Sequence, residues 1–316
     1  MDWNSGTAGM RIASIDIGTN TILLLIADVS KEGIARVLHD EQVIARLGKG
    51  VDSDRMINQE TFSRAESFLK VYKERCESFA VEKIAAVGTS ALRDAKNSDE
   101  FCTFIKNSTG ISIEVISGEE EALWTYRGGI SEFLGRADRF SVIDIGGGST
   151  EITVGNASNV ISKTSMNIGS VRISERILKE SPPDDSALVE AHEFVHSQIP
   201  RDLAKQLAST FAVGVAGTLT TLAALHQNLP HYDPAKVSGY SLSYESVCAM
   251  FALLRDKDLE QIKKFPQISE GRADIILAGI MILIGCMESA QLKSITVSDR
   301  GLRYGIIFRE IERHFH

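Results

Sequence analysis

The sequence predicts an α/β protein of two similar lobes with a cleft between them. A glycine turn occurs twice, as Asp16-Ile17-Gly18 and as Asp144-Ile145-Gly146, 128 positions apart (144 minus 16), and each copy joins two β-rich segments. Each copy also lies in a meander that is followed by alternating helices and strands, a pattern typical of a sheet covered by helices. An internal repeat of this kind indicates two related halves, which we place at 10–127 and 128–316.

The first half begins with three predicted strands joined by short turns, and a long amphipathic helix follows, with Asn58 as a good N-cap. A further strand then leads through a glycine turn into a short helix. The predicted elements are strands at 11–17, 22–29, 34–44 and 83–87 and a helix at 58–80.

Arg93 lies in the first turn of the short helix, next to the strand ends where we place phosphate groups. A helix start favours anions, and a guanidinium pairs well with phosphoryl oxygens. We therefore interpret Arg93 as a phosphate contact. The alternative is an ion pair with Asp94 or Asp99.

The segment after the next predicted strand, 111–116, supplies a candidate base. Ser117 and Glu120 match the S-x-x-E capping box, so Glu120 has a structural role. Glu119 and Glu121 remain. Acidic residues are common in a first helical turn because of the helix dipole, but a carboxylate that faces a phosphate site is also what activation of a water molecule requires.

The second half repeats the pattern of the first. A third glycine turn, Gly217-Thr218, opens a helix after a strand and is a candidate for a further anion contact. The predicted strands are 140–145, 151–154, 159–166, 211–215 and 294–298, and the predicted helices include 244–255, 272–289 and one from about 301 to the end.

Three consecutive glycines, Gly146 to Gly148, follow the strand that ends at Asp144. Glycine can adopt positive φ and lets backbone N–H groups approach an anion closely. The chain leaves this turn as a strand, whereas the dinucleotide fingerprint and the P-loop both lead into a helix, and the P-loop lysine is missing. We expect the two Asp-Ile-Gly hairpins to face each other and to hold one phosphate chain.

Composition limits the partners. The formal net charge of −8 argues against nonspecific nucleic-acid binding and requires that basic residues be concentrated locally around a polyanion. The longest apolar run, 275–287, is too short to span a bilayer and predicts a buried helix. The four cysteines form no C-x-x-C pair, so a reducing cytoplasm is the expected location. No nucleic-acid or membrane partner is expected, and a homodimer is compatible with the sequence.

One motif indicates different chemistry. His192-Glu193-Phe194-Val195-His196 is a literal H-E-x-x-H on a predicted helix, the pattern of zinc metalloproteases. A third ligand should follow, but the downstream candidates His226 and Glu245 have no motif around them. We interpret the segment as a solvated helix face.

Taken together, these motifs resemble those of the exopolyphosphatase and guanosine pentaphosphate phosphohydrolase family, which is itself similar to the actin-like (ribonuclease H-like) ATPases. The resemblance covers nearly the whole chain from Met10 and rests on SIDIGTNT (14–21), VGTSALRDA (87–95), VISGEEEA (115–122), VIDIGGGSTEI (142–152), VAGTLTTLA (215–223) and SEGRADII (269–276).

The resemblance implies hydrolytic release of a terminal phosphate with Mg²⁺ in the cleft, on two actin-like lobes. It implies Glu121 as the base, with Asp144 and Glu151 at positions tied to metal and phosphate. Together with the turns described above, the expected phosphate contacts are Arg93, Asp16, Gly18, Thr19, Asn20, Thr21, Gly146, Gly147, Gly148, Ser149, Gly217 and Thr218.

The substrate is expected to be inorganic polyphosphate or pppGpp, because both present a terminal phosphoanhydride to the same turns. Two other functions stay open. An actin-like kinase or ATPase would share both hairpins, and a non-catalytic sensor would bind polyphosphate or pppGpp without releasing phosphate.

Overall fold

The computed structural model describes residues 9–315 and contains two mixed sheets. The first has the strand order β3-β2-β1-β4-β5. Its strands are β1 (Met10–Ile17), β2 (Thr21–Ser30), β3 (Gly33–Ile44), β4 (Lys83–Gly88) and β5 (Ile113–Val115). The helices of this half are α1 (Val51–Asp54), α2 (Gln59–Ser78), α3 (Ser90–Asp94), α4 (Ser98–Thr109) and α5 (Gly118–Ile130).

The second sheet has the order β10-β11-β9-β6-β7-β8. Its strands are β6 (Phe140–Ile145), β7 (Thr150–Gly155), β8 (Val160–Met166), β9 (Phe211–Val215), β10 (Ser241–Ser243) and β11 (Ser294–Val297). The helices are α6 (Ser170–Arg176), α7 (Asp185–Gln198), α8 (Leu203–Leu207), α9 (Ala216–His226), α10 (Pro234–Val237), α11 (Tyr244–Leu254), α12 (Leu259–Ile262), a 3₁₀ turn (Glu270–Arg272), α13 (Ile276–Ala290) and α14 (Leu302–Phe315).

The two sheets share one topology. In the first, β1 is antiparallel to β2, β2 is antiparallel to β3, and β1 and β4 are parallel, as are β4 and β5. In the second, β6, β7, β8, β9 and β11 repeat the same order and directions, and β10 is added at the edge. This duplicated arrangement is the actin-like, ribonuclease H-like topology, so the predicted fold class is confirmed.

The helices pack on the sheets as their apolar spacing requires. Asn58 accepts a hydrogen bond from the Thr61 backbone N–H at 2.8 Å, so the predicted N-cap of α2 is confirmed. Phe62, Leu69 and Tyr72 of that helix are buried in the core of the first lobe. Helix α13, predicted to be buried, is almost entirely enclosed in the core of the second lobe. Within residues 9–315, no helix has the length and hydropathy that crossing a bilayer requires.

Two helices connect the lobes. The last helix, α14, packs on β1 and β2 of the first sheet, where Ile307 and Ile311 join Ile12 and Val29 in one cluster. Helix α5 packs against the strands of the second sheet and crosses α14 closely. A Cβ atom at Gly305 would lie only 1.9 Å from the Trp124 carbonyl oxygen. The two helices can therefore cross this closely only because residue 305 is a glycine. The division proposed at 127/128 therefore falls inside α5.

Candidate active site

The two glycine hairpins have the same internal geometry. In the first, the Gly18 N–H donates to the Thr21 carbonyl at 2.9 Å, and in the second, the Gly146 N–H donates to the Ser149 carbonyl at 3.0 Å. Both turns line one cavity of about 280 Å³ between the lobes. The structure therefore brings the two repeats together, as the sequence predicted.

The glycines of the second hairpin allow the lobes to approach each other. A Cβ at Gly148 would lie 2.1 Å from Ser90 Oγ, and a Cβ at Gly147 would lie 2.9 Å from Thr19 Cβ. None of Gly146, Gly147 and Gly148 has positive φ. This turn therefore does not use the positive φ that glycine can adopt. Gly147 and Gly148 are required here because Thr19 and Ser90 of the first lobe occupy the space that their side chains would fill.

Strand register places a carboxylate at the root of each hairpin. Asp16 is paired with Leu23 across the first hairpin, and Asp144 is paired with Glu151 across the second. Asp16 and Asp144 both line the cavity. The equivalent strand positions of the two halves therefore bring two carboxylates to one space.

Glu121 also lines the cavity, from the first turn of α5. Ser117 and Glu120 form the predicted capping box, which fixes the start of this helix. Glu119 points to solvent, with 84% of its side chain exposed, and lies 3.7 Å from Lys163 Nζ. Of the two glutamates that the sequence left open, Glu121 alone is buried and faces the site.

Arg93 contacts the candidate base instead of lining the cavity. Its Nη1 atom donates to Glu121 Oε2 at 2.6 Å and to the Ile116 carbonyl at 3.1 Å. Among residues 9–315, Arg93 forms an ion pair with Glu121 and with neither Asp94 nor Asp99; Asp94 instead accepts from Arg172 at 2.6 Å. Arg93 is therefore placed to orient Glu121 and to stabilise its ionised form.

Glu151, predicted as a metal position, lies behind the cavity wall. Its side chain is buried, and Oε1 accepts a hydrogen bond from Ser165 Oγ at 2.7 Å. It does not line the cavity, whereas its strand partner Asp144 does. Of this predicted pair, Asp144 alone is positioned for direct contact with a bound ion.

Burial raises the pKa of each of these carboxylates, and repulsion from a neighbouring carboxylate adds to the rise at Asp16, Asp144 and Glu151. Burial raises the pKa of Asp16 to about 8, and repulsion from Glu121 and Asp144 adds to it. Burial, followed by repulsion from Glu121, raises the pKa of Asp144 to about 7. Burial also raises the pKa of Glu121 and of Glu151, and Arg93 opposes the effect at Glu121. A cluster of carboxylates that resist ionisation together is a site where a cation would be stabilising.

The donor set suits Mg²⁺. Carboxylate oxygens are its preferred protein ligands, and Mg²⁺ commonly uses only one or two of them, with waters and phosphate oxygens completing the octahedron. Asp144 and Asp16 are the residues that would hold the ion.

The third glycine turn also lines the cavity, through Gly217 and Thr218 at the start of α9. A Cβ at Gly217 would lie 1.1 Å from Nη1 of Arg272, so the absence of a side chain makes room for that guanidinium. Arg272 is a functional candidate that the sequence reasoning missed. It belongs to the motif at 269–276, but no role was assigned to it.

Arg272 differs from the other arginine of the cavity. Arg303 Nε lies 2.9 Å from Asp40 Oδ1, and its Nη2 lies 3.2 Å from Asp299 Oδ2. Arg272 donates only to the Gln42 amide oxygen, at 3.3 Å, and within residues 9–315 no carboxylate lies within 4 Å of it. Burial lowers its pKa. A guanidinium without an anionic partner at a cavity wall is suited to bind an anionic ligand.

The structure thus brings together all but two of the predicted site residues. Arg93 and Glu151 lie in the layer behind the cavity wall. Those that line the cavity are Asp16, Gly18, Thr19, Asn20, Thr21, Glu121, Asp144, Gly146, Gly147, Gly148, Ser149, Gly217 and Thr218.

The chain is similar in sequence and in structure to known phosphatases. The profile of the Ppx/GppA phosphatase family matches residues 25–314. Exopolyphosphatase 2 of Mycobacterium tuberculosis is 36% identical over 312 residues, which cover 94% of this chain and 97% of that protein. A guanosine-5'-triphosphate,3'-diphosphate pyrophosphatase of Photobacterium profundum is 28% identical over 96% of this chain and 60% of its own length. The crystal structure of the Aquifex aeolicus Ppx/GppA family member superposes with a TM-score of 0.81 at 33% identity, covering 98% of this chain and 100% of that one.

Proposed function

Because this chain belongs to the Ppx/GppA phosphatase family, we propose that it is a phosphoanhydride hydrolase that releases terminal orthophosphate from inorganic polyphosphate. The observation that carries the proposal is the placement of both hairpins and Glu121 around one cavity. The M. tuberculosis relative, named an exopolyphosphatase, is similar to this chain over almost its whole length.

In the proposed reaction, Glu121 accepts a proton from a water molecule whose oxygen attacks the terminal phosphorus in line. The bond from phosphorus to the bridging oxygen breaks, and the shortened chain leaves with the electron pair. Burial raises the pKa of Glu121, which strengthens it as a base. Arg93 limits that rise and holds the carboxylate in place.

Charge on the phosphoryl group is stabilised by backbone N–H groups of the hairpins and by Arg272. Preorganised donors of this kind lower the barrier because they need not reorient as charge develops. Mg²⁺, when bound at Asp144 and Asp16, supplies positive charge to offset that of the phosphates.

The need for cations follows from the charge of the cavity wall. A polyanion would be repelled by the carboxylates of this wall unless protons or bound cations neutralise them. The wall contains six carboxylates, Asp16, Asp40, Glu41, Glu121, Asp144 and Asp299, and two arginines, Arg272 and Arg303.

A second candidate substrate is pppGpp, because a relative named guanosine-5'-triphosphate,3'-diphosphate pyrophosphatase aligns with 96% of this chain. The same site would release its 5'-terminal phosphate. An ATPase or a non-catalytic sensor is a less well supported alternative, since the aligned relatives reported above carry hydrolase names.

The test is a side-by-side assay of phosphate release from long-chain polyphosphate, pppGpp and ATP, with Mg²⁺ and with EDTA. We expect Mg²⁺-dependent release that is fastest from polyphosphate. Fastest release from pppGpp would favour the second candidate, and dominant ATP turnover would favour an actin-like ATPase. Tight binding of polyphosphate without any release would indicate a sensor.

A further inference from the structure

The H-E-x-x-H segment lies on α7 and faces the last turn of α13. Its two histidines do not line the cleft cavity. His196 Nε2 lies 2.9 Å from Glu288 Oε2, and His192 Nε2 lies 3.6 Å from the same oxygen. Among residues 9–315, these three side chains are the group whose metal-ligand atoms all lie within 4.8 Å of one another. The third member is Glu288, 92 residues after His196, and is neither His226 nor Glu245, the downstream residues considered in the sequence analysis.

Neighbouring side chains orient two of these groups. The Tyr244 hydroxyl donates to Glu288 Oε1 at 2.5 Å, which leaves Oε2 directed at the imidazoles. Ser289 Oγ lies 3.4 Å from Nδ1 of His196, on the side of the ring opposite Nε2. Partners of this kind on the outer oxygen or nitrogen of each ligand are a regular feature of metal sites.

We propose that His192, His196 and Glu288 form a binding site for a divalent transition-metal ion, Zn²⁺ by preference, with water at the fourth position. Two imidazole nitrogens and one carboxylate oxygen are a zinc donor set and a poor one for Mg²⁺. The two nitrogen–oxygen separations, 2.9 and 3.6 Å, bracket the roughly 3.3 Å between ligands of a tetrahedral ion with bonds of about 2.0 Å.

The ligands are available to an ion from solvent. The His192 side chain is 55% exposed, and those of His196 and Glu288 are about one-third exposed.

The site would join two helices and is separate from the cleft. His192 and His196 belong to α7, and Glu288 belongs to α13. Ile276, at the start of α13, lines the cleft cavity, but none of the three ligands does. A bound ion would therefore hold α7 against the C-terminal end of α13, whose N-terminal end lines the cleft cavity.

The test is Zn²⁺ binding to the full chain, measured by competition with a chromophoric chelator, with Mg²⁺ in large excess to occupy the cleft. The wild type should bind one Zn²⁺ per chain. His192→Gln, His196→Gln and Glu288→Gln should each weaken binding by about tenfold or more, and Tyr244→Phe by about tenfold, with stoichiometry unchanged. His314→Gln, which removes an exposed imidazole outside the cluster, is the matched control and should have no effect.

Two further measurements separate loss of ligands from loss of fold. Co²⁺ should give the intense visible absorption of a tetrahedral site in the wild type and in His314→Gln, but not in the double variant His192→Gln/His196→Gln. Zn²⁺ should raise the Tm of the wild type and not that of the double variant, while their metal-free Tm values agree. Equal zinc stoichiometry and affinity in the wild type and the double variant, or an absence of zinc binding to the wild type, would overturn the proposal.

Discussion

Arg93 Nη1 lies 2.6 Å from Oε2 of Glu121, so the candidate base is held by an ion pair that forms part of the wall behind the cavity. Burial raises the pKa of Glu121, and Arg93 is the main opposing influence. In the proposed mechanism, this pair sets the pH at which Glu121 becomes ionised.

Replacing Arg93 with Gln should shift the acidic limb of the pH–rate profile to higher pH, because Glu121 loses the charge that favours its ionised form. We expect kcat at neutral pH to fall by about 10- to 100-fold and to recover partly as pH rises. Lys163→Gln, which removes the cation beside the exposed Glu119, should leave the profile unchanged. A uniform loss of kcat without a shift of the acidic limb would show that Arg93 does not control the base.

The second prediction concerns stability and pH. The pKa of Asp144 is raised from its ordinary value of 3.8 to about 7 in the folded protein. The folded state thus holds more protons than the unfolded state between these values, so stability from Asp144 is complete below about pH 4 and is lost as pH rises through about 7.

Replacing Asp144 with Asn removes this loss of stability at high pH, because the amide does not ionise. In EDTA at pH 8, the variant should exceed the wild type in unfolding free energy by on the order of 2 kcal/mol, and the difference should shrink towards pH 4. Mg²⁺ should stabilise the wild type and have little effect on the variant. Thermal unfolding at several pH values measures both, with the exposed Asp138→Asn as control. A variant that is less stable than the wild type at pH 8 would contradict the electrostatic account.

The third prediction separates the two arginines of the cavity. Arg272→Gln should lower kcat/KM for polyphosphate by about 10- to 100-fold, the value of a hydrogen bond to a charged group. The melting temperature should not fall, because this guanidinium has no carboxylate partner within 4 Å in the described part of the chain. Arg303→Gln should instead reduce stability, since Asp40 and Asp299 would lose their shared cation. Equal losses of stability in both variants would remove Arg272 from the phosphate site.

The fourth prediction tests the contact between the lobes. Gly148→Ala would place a Cβ 2.1 Å from Ser90 Oγ at the start of α3, so the added methyl group would push the second hairpin away from the first lobe. Phosphate release should fall by about tenfold or more, with little change in Tm, because the clash lies between lobes and not within a core. Adding Ser90→Gly should restore part of the activity. Failure of that second change to restore any activity, with the fold intact, would argue against the clash.

The sequence predicted the local features of this protein well. The hairpin repeat, the cap at Asn58 and the capping box of Ser117 and Glu120 all depend on residues close together in the chain. The strand register that brings Asp16 and Asp144 to one cavity follows from that repeat. Patterns of this kind are set by backbone periodicity and hydrogen bonding over a few residues.

The features that the sequence did not reveal depend on distant contacts. Arg272 is positioned by the space above Gly217, and Glu288 approaches His196 only because α7 packs on α13. The partner of Arg93 was missed because Glu121 lies 28 residues away on another helix. Alternation along β7 predicts that Glu151 and Thr153 share one face and that Ile152 lies on the other, but it does not show that both faces are buried.

The central claim is that Glu121 activates the attacking water beside the two hairpins. It is tested most directly by phosphate release from long-chain polyphosphate by Glu121→Gln, with Glu119→Gln as the matched control in the same helical turn. We predict that Glu121→Gln lowers kcat by about 100-fold or more while binding and Tm are retained, and that Glu119→Gln behaves as the wild type. Unchanged turnover by Glu121→Gln would contradict the account.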